Sequence, residues 1–485
     1  MSSSGQGVKG TLDKSSKYDS LGKLRMSFLT PELLTRFDIP GPRYTSYPTA
    51  DRFVEAFAQS NLHQALDLRI QGLGQKNRPL SIYVHIPFCE SLCYYCACNK
   101  IITKHHEKAE PYLRYLAKEV SLYTSAIGIG KSVSQLHLGG GTPTFLSDSE
   151  LRALMTTLKS SFNFVAGGEY SVEVDPRTVN ADRLALLYEL GFNRLSFGVQ
   201  DFDLEVQKAV HRIQPADQVF ALVASARTIG FESVNVDLIY GLPKQTPASF
   251  DRTLKQINAL RPDRIALYAY AHLPARFKPQ RRILAAELPA AADKIDMLSK
   301  SMDALINAGY VYVGMDHFAL PDDALAVAKR QGRLHRNFQG YSTQPDCDLI
   351  GLGVSSIGRM GGTYSQNAKT MEEYVDMLDQ GQLPIVKGLT LSRDDLIRRA
   401  WIMAIMCQGH VQFDAFNEAW LIDAQSYFAA ELTQLESMQT QGLVELSKHG
   451  LQVTPLGWFF VRGVAMVFDK YLQADRHRSR FSKII

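Results

Sequence analysis

Three observations predict an α/β fold with a parallel, barrel-like sheet and a separate, mostly helical C-terminal part. Short β-prone runs recur at 81–86, 135–138, 170–174, 194–199, 234–239, 264–270 and 311–314, with helical spacing between them. One junction occurs three times: Gly191-Phe192, Gly230-Phe231 and Gly309-Tyr310 each stand between a helical stretch and a strand. Glycine supplies the left-handed conformation that ends a helix, and the aromatic after it packs in the helix–strand seam. Finally, unusual polar residues fall at the same end of six successive strands, where a β/α sheet carries its site. A doubly wound sheet is the alternative, but its Gly-rich dinucleotide turn is missing after the first strand.

Length and composition set the frame. At about 100–200 residues per domain, 485 residues predict two to four domains. Hydrophobic residues are 45% and charged residues 21%, which excludes wholesale disorder. A net charge of +4 is too mild to argue for nucleic acid or a membrane surface. No run reaches the ~18 apolar residues of a spanning helix; the best candidate, 458–468, is short and interrupted by Arg462. Residues 1–14 are rich in Ser, Gly and Lys, without the apolar core of a secretory signal.

The elements follow in order. Residues 1–29 read as a disordered leader, with Met26 as a candidate natural start. Residues 30–79 form an N-terminal segment expected to pack on the barrel, because Pro40-Gly41-Pro42-Arg43-Tyr44-Thr45-Ser46-Tyr47-Pro48 is too proline-rich for a helix. Residues 80–370 carry the β/α repeat. Asn180 is placed to cap a helix that Gly191 ends, and Ile295, Leu298, Met302, Leu305 and Ile306 make one helical stripe. Residues 371–485 read as a helical, winged-helix-like domain: helices at 392–406, 413–419 and 424–440, a hairpin about Lys448-His449-Gly450, and a final helix at 457–472. Such shapes bind nucleic acid in some proteins and serve as packing or lid domains in others.

The strand ends carry the chemistry. Of six cysteines, Cys89, Cys93, Cys96 and Cys98 fall within ten positions. With no export signal, that concentration predicts a cytosolic metal or redox site. Structural zinc takes two separated ligand pairs, and no second pair exists. An iron–sulfur cube held by three thiolates of one loop is the other reading, with one iron left open to amino and carboxylate groups. Gly139-Gly140-Gly141-Thr142 ends the second strand; a glycine run there is either turn chemistry or room for a ligand against the backbone. Glu173 and Asp175 share a strand face and either pair with an arginine such as Arg177 or Arg194 or, for Glu173, accept from a ligand ammonium. Asp237 suits a ribose hydroxyl, and Gln200 and Arg212 suit a ligand carboxylate.

These motifs bring a resemblance into view. The Cys89/Cys93/Cys96 spacing with Tyr83 upstream resembles the cluster loop of radical S-adenosylmethionine enzymes. More narrowly, Tyr-Val-His-Ile-Pro-Phe-Cys (83–89), Cys-Asn-Lys (98–100), Gly-Gly-Gly-Thr-Pro-Thr (139–144), Glu-Val-Asp-Pro-Arg (173–177), Gly-Val-Gln-Asp-Phe (198–202), Asp-Leu-Ile-Tyr-Gly-Leu-Pro-Lys-Gln-Thr (237–246), Met-Asp-His-Phe-Ala (315–319) and His-Arg-Asn-Phe-Gln-Gly-Tyr (335–341) are similar to the oxygen-independent coproporphyrinogen III oxidase family of bacterial haem synthesis.

The resemblance covers residues 40–485 and implies a partial (β/α)6 barrel with a helical C-terminal domain. It implies that Cys89, Cys93 and Cys96 ligate a [4Fe–4S] cluster. Tyr83, Gly140, Gly141, Thr142, Glu173, Gln200, Arg212, Asp237, Ala271 and Ile357 would surround two S-adenosylmethionine molecules, with Gln339 and Ile357 toward the second and the substrate. The implied reaction converts two propionates of coproporphyrinogen III to vinyls, giving protoporphyrinogen IX, through a 5′-deoxyadenosyl radical. A flavodoxin-type electron donor, a cytoplasmic monomer, and no nucleic acid or membrane are the accompanying expectations. Arg43 is the expected counter-charge for the substrate carboxylates; Arg276, Lys278, Arg281 and Arg282 are further counter-charges or a solvated surface. Two positions depart from the family pattern: Tyr95 stands where Phe is usual and can still cover the cluster, and Ala97 stands where Gly is frequent. The competing readings are a haem-delivery relative without oxidase activity, and a zinc-containing nucleic-acid binder using the C-terminal domain and the basic tail at 476–483.

Overall fold

The structure, a computed structural model, describes residues 31–37, 39–72 and 78–474; the expected leader and basic tail lie outside them. One mixed sheet of twelve strands organises the chain. In chain order its strands are β1 (Leu80–Ile86), β2 (Lys131–Gly140), β3 (Phe162–Val174), β4 (Arg194–Gln200), β5 (Ser233–Tyr240), β6 (Arg264–Ala269), β7 (Val311–Gly314), β8 (His317–Ala319), β9 (Leu349–Leu352), β10 (Ile357–Met360), β11 (Thr363–Asn367) and β12 (Ile385–Thr390). They lie side by side as β12-β11-β10-β9-β1-β2-β3-β4-β5-β6-β8-β7. Neighbours from β9 through β1 to β6 all run parallel. The two ends, β12 and β7, do not pair, so the barrel is partial.

Local sequence explains this build. β1 is buried on both faces, as a parallel strand under helices must be. β4 and β5 instead alternate, with Ser196, Asn235 and Asp237 on their half-buried face. That face looks into the barrel. Asn180 caps the helix Ala181–Glu189 by accepting from Arg183 N–H at 2.9 Å. Gly191, Gly230 and Gly309 all have left-handed φ (98°, 109° and 89°), and the aromatic after each is buried.

One expectation needs correction. The third junction does not extend the parallel sheet. The non-glycine residues Met315 and Asp316 also take positive φ (45° and 72°), so β7 folds straight back into β8, and β8 takes the free edge of β6 antiparallel. The sheet continues past residue 370, where β12 pairs with β11. Beyond β12, helical structure begins at Arg393–Gln408, capped by Ser392. Trp401 lies at its centre, within 4.3–5.9 Å (ring centroids) of Phe413, Phe416, Phe428 and Phe468. The expected hairpin is present as Val444–Ser447 and Gly450–Val453. The final helix is broken into Gly457–Phe460, Val461–Met466 and Lys470–Ala474.

The N-terminal segment lies against both parts. Tyr44 and Tyr47 join the core around Trp401. The buried Arg462 donates to the carbonyls of Pro42 (2.8 Å) and Gly41, and Arg336 donates to the Arg43 carbonyl at 3.2 Å. Among the described residues no helix is long and apolar enough to cross a membrane.

Candidate active site

The parallel strands deliver their C-terminal ends to one cavity of about 470 Å³, in the range of small-ligand sites. Cys89, Cys93, Tyr95 and Cys96 line it from the loop after β1; Gly140, Gly141 and Thr142 from the end of β2; Glu173 and Asp175 from β3; Gln200 from β4; Arg212; Asp237 from β5; and Tyr268 from β6.

The cysteine loop is fixed at both ends. Phe88–Cys89 pairs with Ile101–Ile102, and Thr103 N–H donates to the Cys89 carbonyl at 2.9 Å. Between them, Tyr94 N–H donates to Val210 O at 3.0 Å, and Gln280 Nε2 donates to Tyr95 O at 3.0 Å. The glycine run is what lets this loop seat on β2. A Cβ on Gly140 (φ 110°) would meet the His85 ring at 2.6 Å, and one on Gly141 would meet the Pro87 carbonyl carbon at 2.7 Å. Close packing against the cysteine loop is therefore the first demand on these glycines.

The thiols have an unequal setting. Thr142 Oγ1 donates to Cys89 Sγ at 3.3 Å. Two guanidiniums face Cys93 Sγ: Arg212 Nη1 at 3.5 Å and Arg177 Nη2 at 3.7 Å. Asp175 Oδ2 sits between them, at 3.1 and 2.6 Å respectively. Burial pushes the Cys89 thiol up to about 11. The hydrogen bond from Cys98, joined by the Lys100 ammonium, brings Cys96 down to about 6.

The two carboxylates of β3 divide their work. Asp175 takes the arginines. Glu173 takes none; His137 Nε2 lies 3.2 Å from its Oε1, and Gly140 N–H donates to its Oε2 at 3.2 Å. Burial opposes its charge, but His137 and that N–H outweigh burial and hold it below the usual range. Arg194 lies 3.6 Å from Glu169 instead. Asp237 accepts from Asn235 Nδ2 (2.9 Å) and Ser196 Oγ (3.3 Å); burial, then the neighbouring Glu173 charge, raise it to about 7.

The remaining expected residues lie around this cavity. The Tyr83 ring stacks on His137 at 5.9 Å, and its hydroxyl is 3.1 Å from His85 Nδ1, one layer below the opening. The Ala271 carbonyl accepts from Gln280 Nε2 at 3.2 Å, the amide that also holds Tyr95. Gln339 and Ile357 are not on this wall. Gln339 lies in the ribbon His335–Asn337/Gly340–Ser342, and Ile357 opens β10, packed in one apolar cluster with Phe338. Arg43 reaches the far side of Tyr268: its guanidinium lies 5.0 Å over that ring and pairs with Asp316 at 2.6 Å. Sequence reasoning missed His137, Tyr268 and Asp316. His137 had one available signal, its parity with Gly139 on an inward-facing strand.

Sequence and structure comparisons decide the family. Residues 83–257 match the Radical SAM superfamily and residues 391–460 the HemN C-terminal domain. The oxygen-independent coproporphyrinogen III oxidase of Pseudomonas aeruginosa is 49% identical over 457 residues, 94% of this chain and 98% of that protein. That of Escherichia coli K12 is 46% identical over 453 residues, 93% and 98%. The chain belongs to the oxygen-independent coproporphyrinogen III oxidase family. The solved structure described as "Coproporphyrinogen III oxidase (HemN) from Escherichia coli is a Radical SAM enzyme" superposes with a TM-score of 0.85 at 47% identity, covering 88% of this chain and 97% of that one.

The residues fit the group that this radical SAM family implies. Among the described residues no three His, Cys, Asp or Glu side chains converge as one metal ion requires. An iron–sulfur cube takes each thiolate at a different iron, so three thiols lining one cavity suit it. Buried amide atoms without partners, Gln200 Oε1 and both ends of Gln339, would each cost about 1–3 kcal/mol left unpaired and suit a polar ligand.

Proposed function

We propose that this member of the oxygen-independent coproporphyrinogen III oxidase family converts two propionate side chains of coproporphyrinogen III to vinyls, giving protoporphyrinogen IX. The observation that carries the reading is the single cavity that joins three loop thiols to Glu173, Gln200, Arg212 and Asp237, in a chain 49% identical over nearly its whole length to a relative of that name. When bound, a [4Fe–4S] cluster and S-adenosylmethionine supply a carbon radical, which can take hydrogen from an unactivated carbon.

The chain's own residues do the rest by placement and seclusion. Cys89, Cys93 and Cys96 would hold the cluster by three corners, and Tyr95 would cover it. Glu173, below the usual carboxylate range, is an acceptor for an ammonium. Asp237 is an acceptor for a hydroxyl. The free amide oxygen of Gln200, beside Arg212, orients the same ligand. Gln339 and Ile357, set apart from that wall, support a place for a second S-adenosylmethionine molecule. Arg43, its carbonyl held by Arg336 and its guanidinium oriented by Asp316, is the cation for a substrate carboxylate. No side chain need act as an acid or base on the substrate. The reading includes a monomer in the cytoplasm, reduced by a flavodoxin-type donor, with no nucleic acid or membrane as partner.

Anaerobic, cluster-reconstituted chain given S-adenosylmethionine, reductant and coproporphyrinogen III should release carbon dioxide and form the divinyl product. A haem-delivery relative would form neither, and that result would overturn the reading.

A further inference from the structure

We propose that the surface made by segments 204–213 and 276–288 over the outer side of the cysteine loop is the docking surface for a small, acidic, one-electron carrier protein. The proposal rests on the reading above, because a resident cluster must be reduced from outside the chain. It adds where that happens and what recognises the carrier.

The loop has two faces. One lines the cavity. The other is covered by two short segments, 204–213 and 276–288. Between them lies Tyr94, adjacent in sequence to Cys93 and two residues from Cys96. Its ring stacks flat on His211 at 5.1 Å and 9°, and the Arg282 guanidinium covers it at 5.3 Å. This stack is built. His211 is held at φ 55°, a conformation that non-glycine residues rarely adopt without support, and its Nδ1 lies 2.9 Å from the Leu92 carbonyl of the loop. A protein seated here stands one residue from a ligand cysteine without passing through the cavity.

The surface around the stack has the chemistry of a transient electron-transfer contact. Arg276, Lys278, Arg281 and Arg282 are all exposed, and none lines the cavity. Among the described residues no carboxylate pairs with any of the four; Arg281 and Arg282 instead donate to the Pro274 carbonyl and the Tyr94 hydroxyl. On the same two segments, Ile213 is 56% exposed, Leu284 63% and Leu204 50%. Unpaired cations speed the encounter with an acidic partner. A few aliphatic contacts seat it briefly, as the small interfaces of redox partners require. In the exchange one electron leaves the reduced carrier and enters the cluster; no bond forms and no proton moves.

The test uses photoreduced flavodoxin as the carrier, mixed anaerobically with the cluster-loaded full chain in a stopped-flow spectrometer. The variant R281E/R282E is expected to slow the second-order rate by about tenfold or more and to abolish its decline with added salt. The rate with a neutral small reductant, photoreduced deazaflavin, should stay unchanged. Leu284→Ser, which keeps every charge, should slow the flavodoxin rate by about threefold and leave the salt dependence intact. An unchanged flavodoxin rate in both variants overturns the proposal, as does equal slowing with both reductants. So does a raised KM for the porphyrinogen with an unchanged carrier rate, which would return these cations to the substrate. Loss of DNA retention without effect on the carrier rate overturns it in favour of nucleic acid. Failure of the functional reading is distinguishable, because the carrier would then be oxidised without decarboxylated product.

Discussion

Arg177→Met removes one of the two guanidiniums facing Cys93 Sγ and leaves Arg212 in place. At 3.7 Å and an effective dielectric of about 20, a unit charge acts on the sulfur with 332/(20 × 3.7), or about 4.5 kcal/mol per unit of charge. An electron added to a four-iron centre is shared among its corners. If about a third of it is felt at this corner, the lost stabilisation is about 1.5 kcal/mol, roughly tenfold in the reduction equilibrium or ~59 mV for one electron. Hydrogen bonds and charge at the ligand sulfurs are recognised determinants of cluster potential. The midpoint of Arg177→Met should therefore fall by about that amount. Asp175→Asn, which removes the carboxylate lying 2.6 and 3.1 Å from the two guanidiniums, should raise it. Dye-mediated redox titration followed by electron paramagnetic resonance reads both variants without S-adenosylmethionine or substrate. An unmoved midpoint at full iron content, or a shift of the same sign in both variants, refutes the reasoning.

Gly140→Ala should lose iron per chain and lower Tm, since its Cβ would fall 2.6 Å from the His85 ring at φ 110° and such strain costs about 1–3 kcal/mol; iron analysis beside a thermal melt checks it. Arg43→Ala should raise the porphyrinogen KM by about tenfold, the ~1.5 kcal/mol of a charge-assisted hydrogen bond, at unchanged iron content, whereas unchanged turnover at limiting substrate would refute the role. Glu119 is fully buried and accepts from Tyr374, Gly353 and Asn367 at 2.6–2.8 Å, yet burial lifts it to about 7. Between about 4.3 and 7 the folded chain keeps a proton that the unfolded chain has lost. Stability should then fall as pH rises through that window, by about 4 kcal/mol at most, and urea midpoints of Glu119→Gln should lose that part of the slope.

The sheet was legible wherever one rule governed one segment. β4, β5 and β6 alternate or run apolar, and Gly191 and Gly230 mark where each helix ends. β9 was not legible. Its four buried residues are interrupted by Gly351, and that glycine is required by the approach of the Ile357 carbonyl, 2.6 Å from where its Cβ would lie. No local pattern encodes a contact with a strand further along the chain. The same distinction holds at the site. Cys89, Cys93 and Cys96 announce themselves by spacing, and Glu173 and Asp237 by lying at strand ends. His137 and Tyr268 look like ordinary strand residues until the barrel curves and brings them beside Glu173 and Arg43. Asp316 was hidden by a tight turn between non-glycine residues, where sequence offers little warning.

Arg462, near the end of the described chain, holds the carbonyls of Gly41 and Pro42, and Tyr44 bonds Asp469 at 3.0 Å. Segments 41–44 and 462–469 are thus fastened to one another on the side of the barrel where Arg43 enters. A ribosome would release the barrel's strands long before the partner of that first segment existed. The clamp that holds the Arg43 segment is accordingly complete only once residues 462–469 have been made, well after the thiol loop.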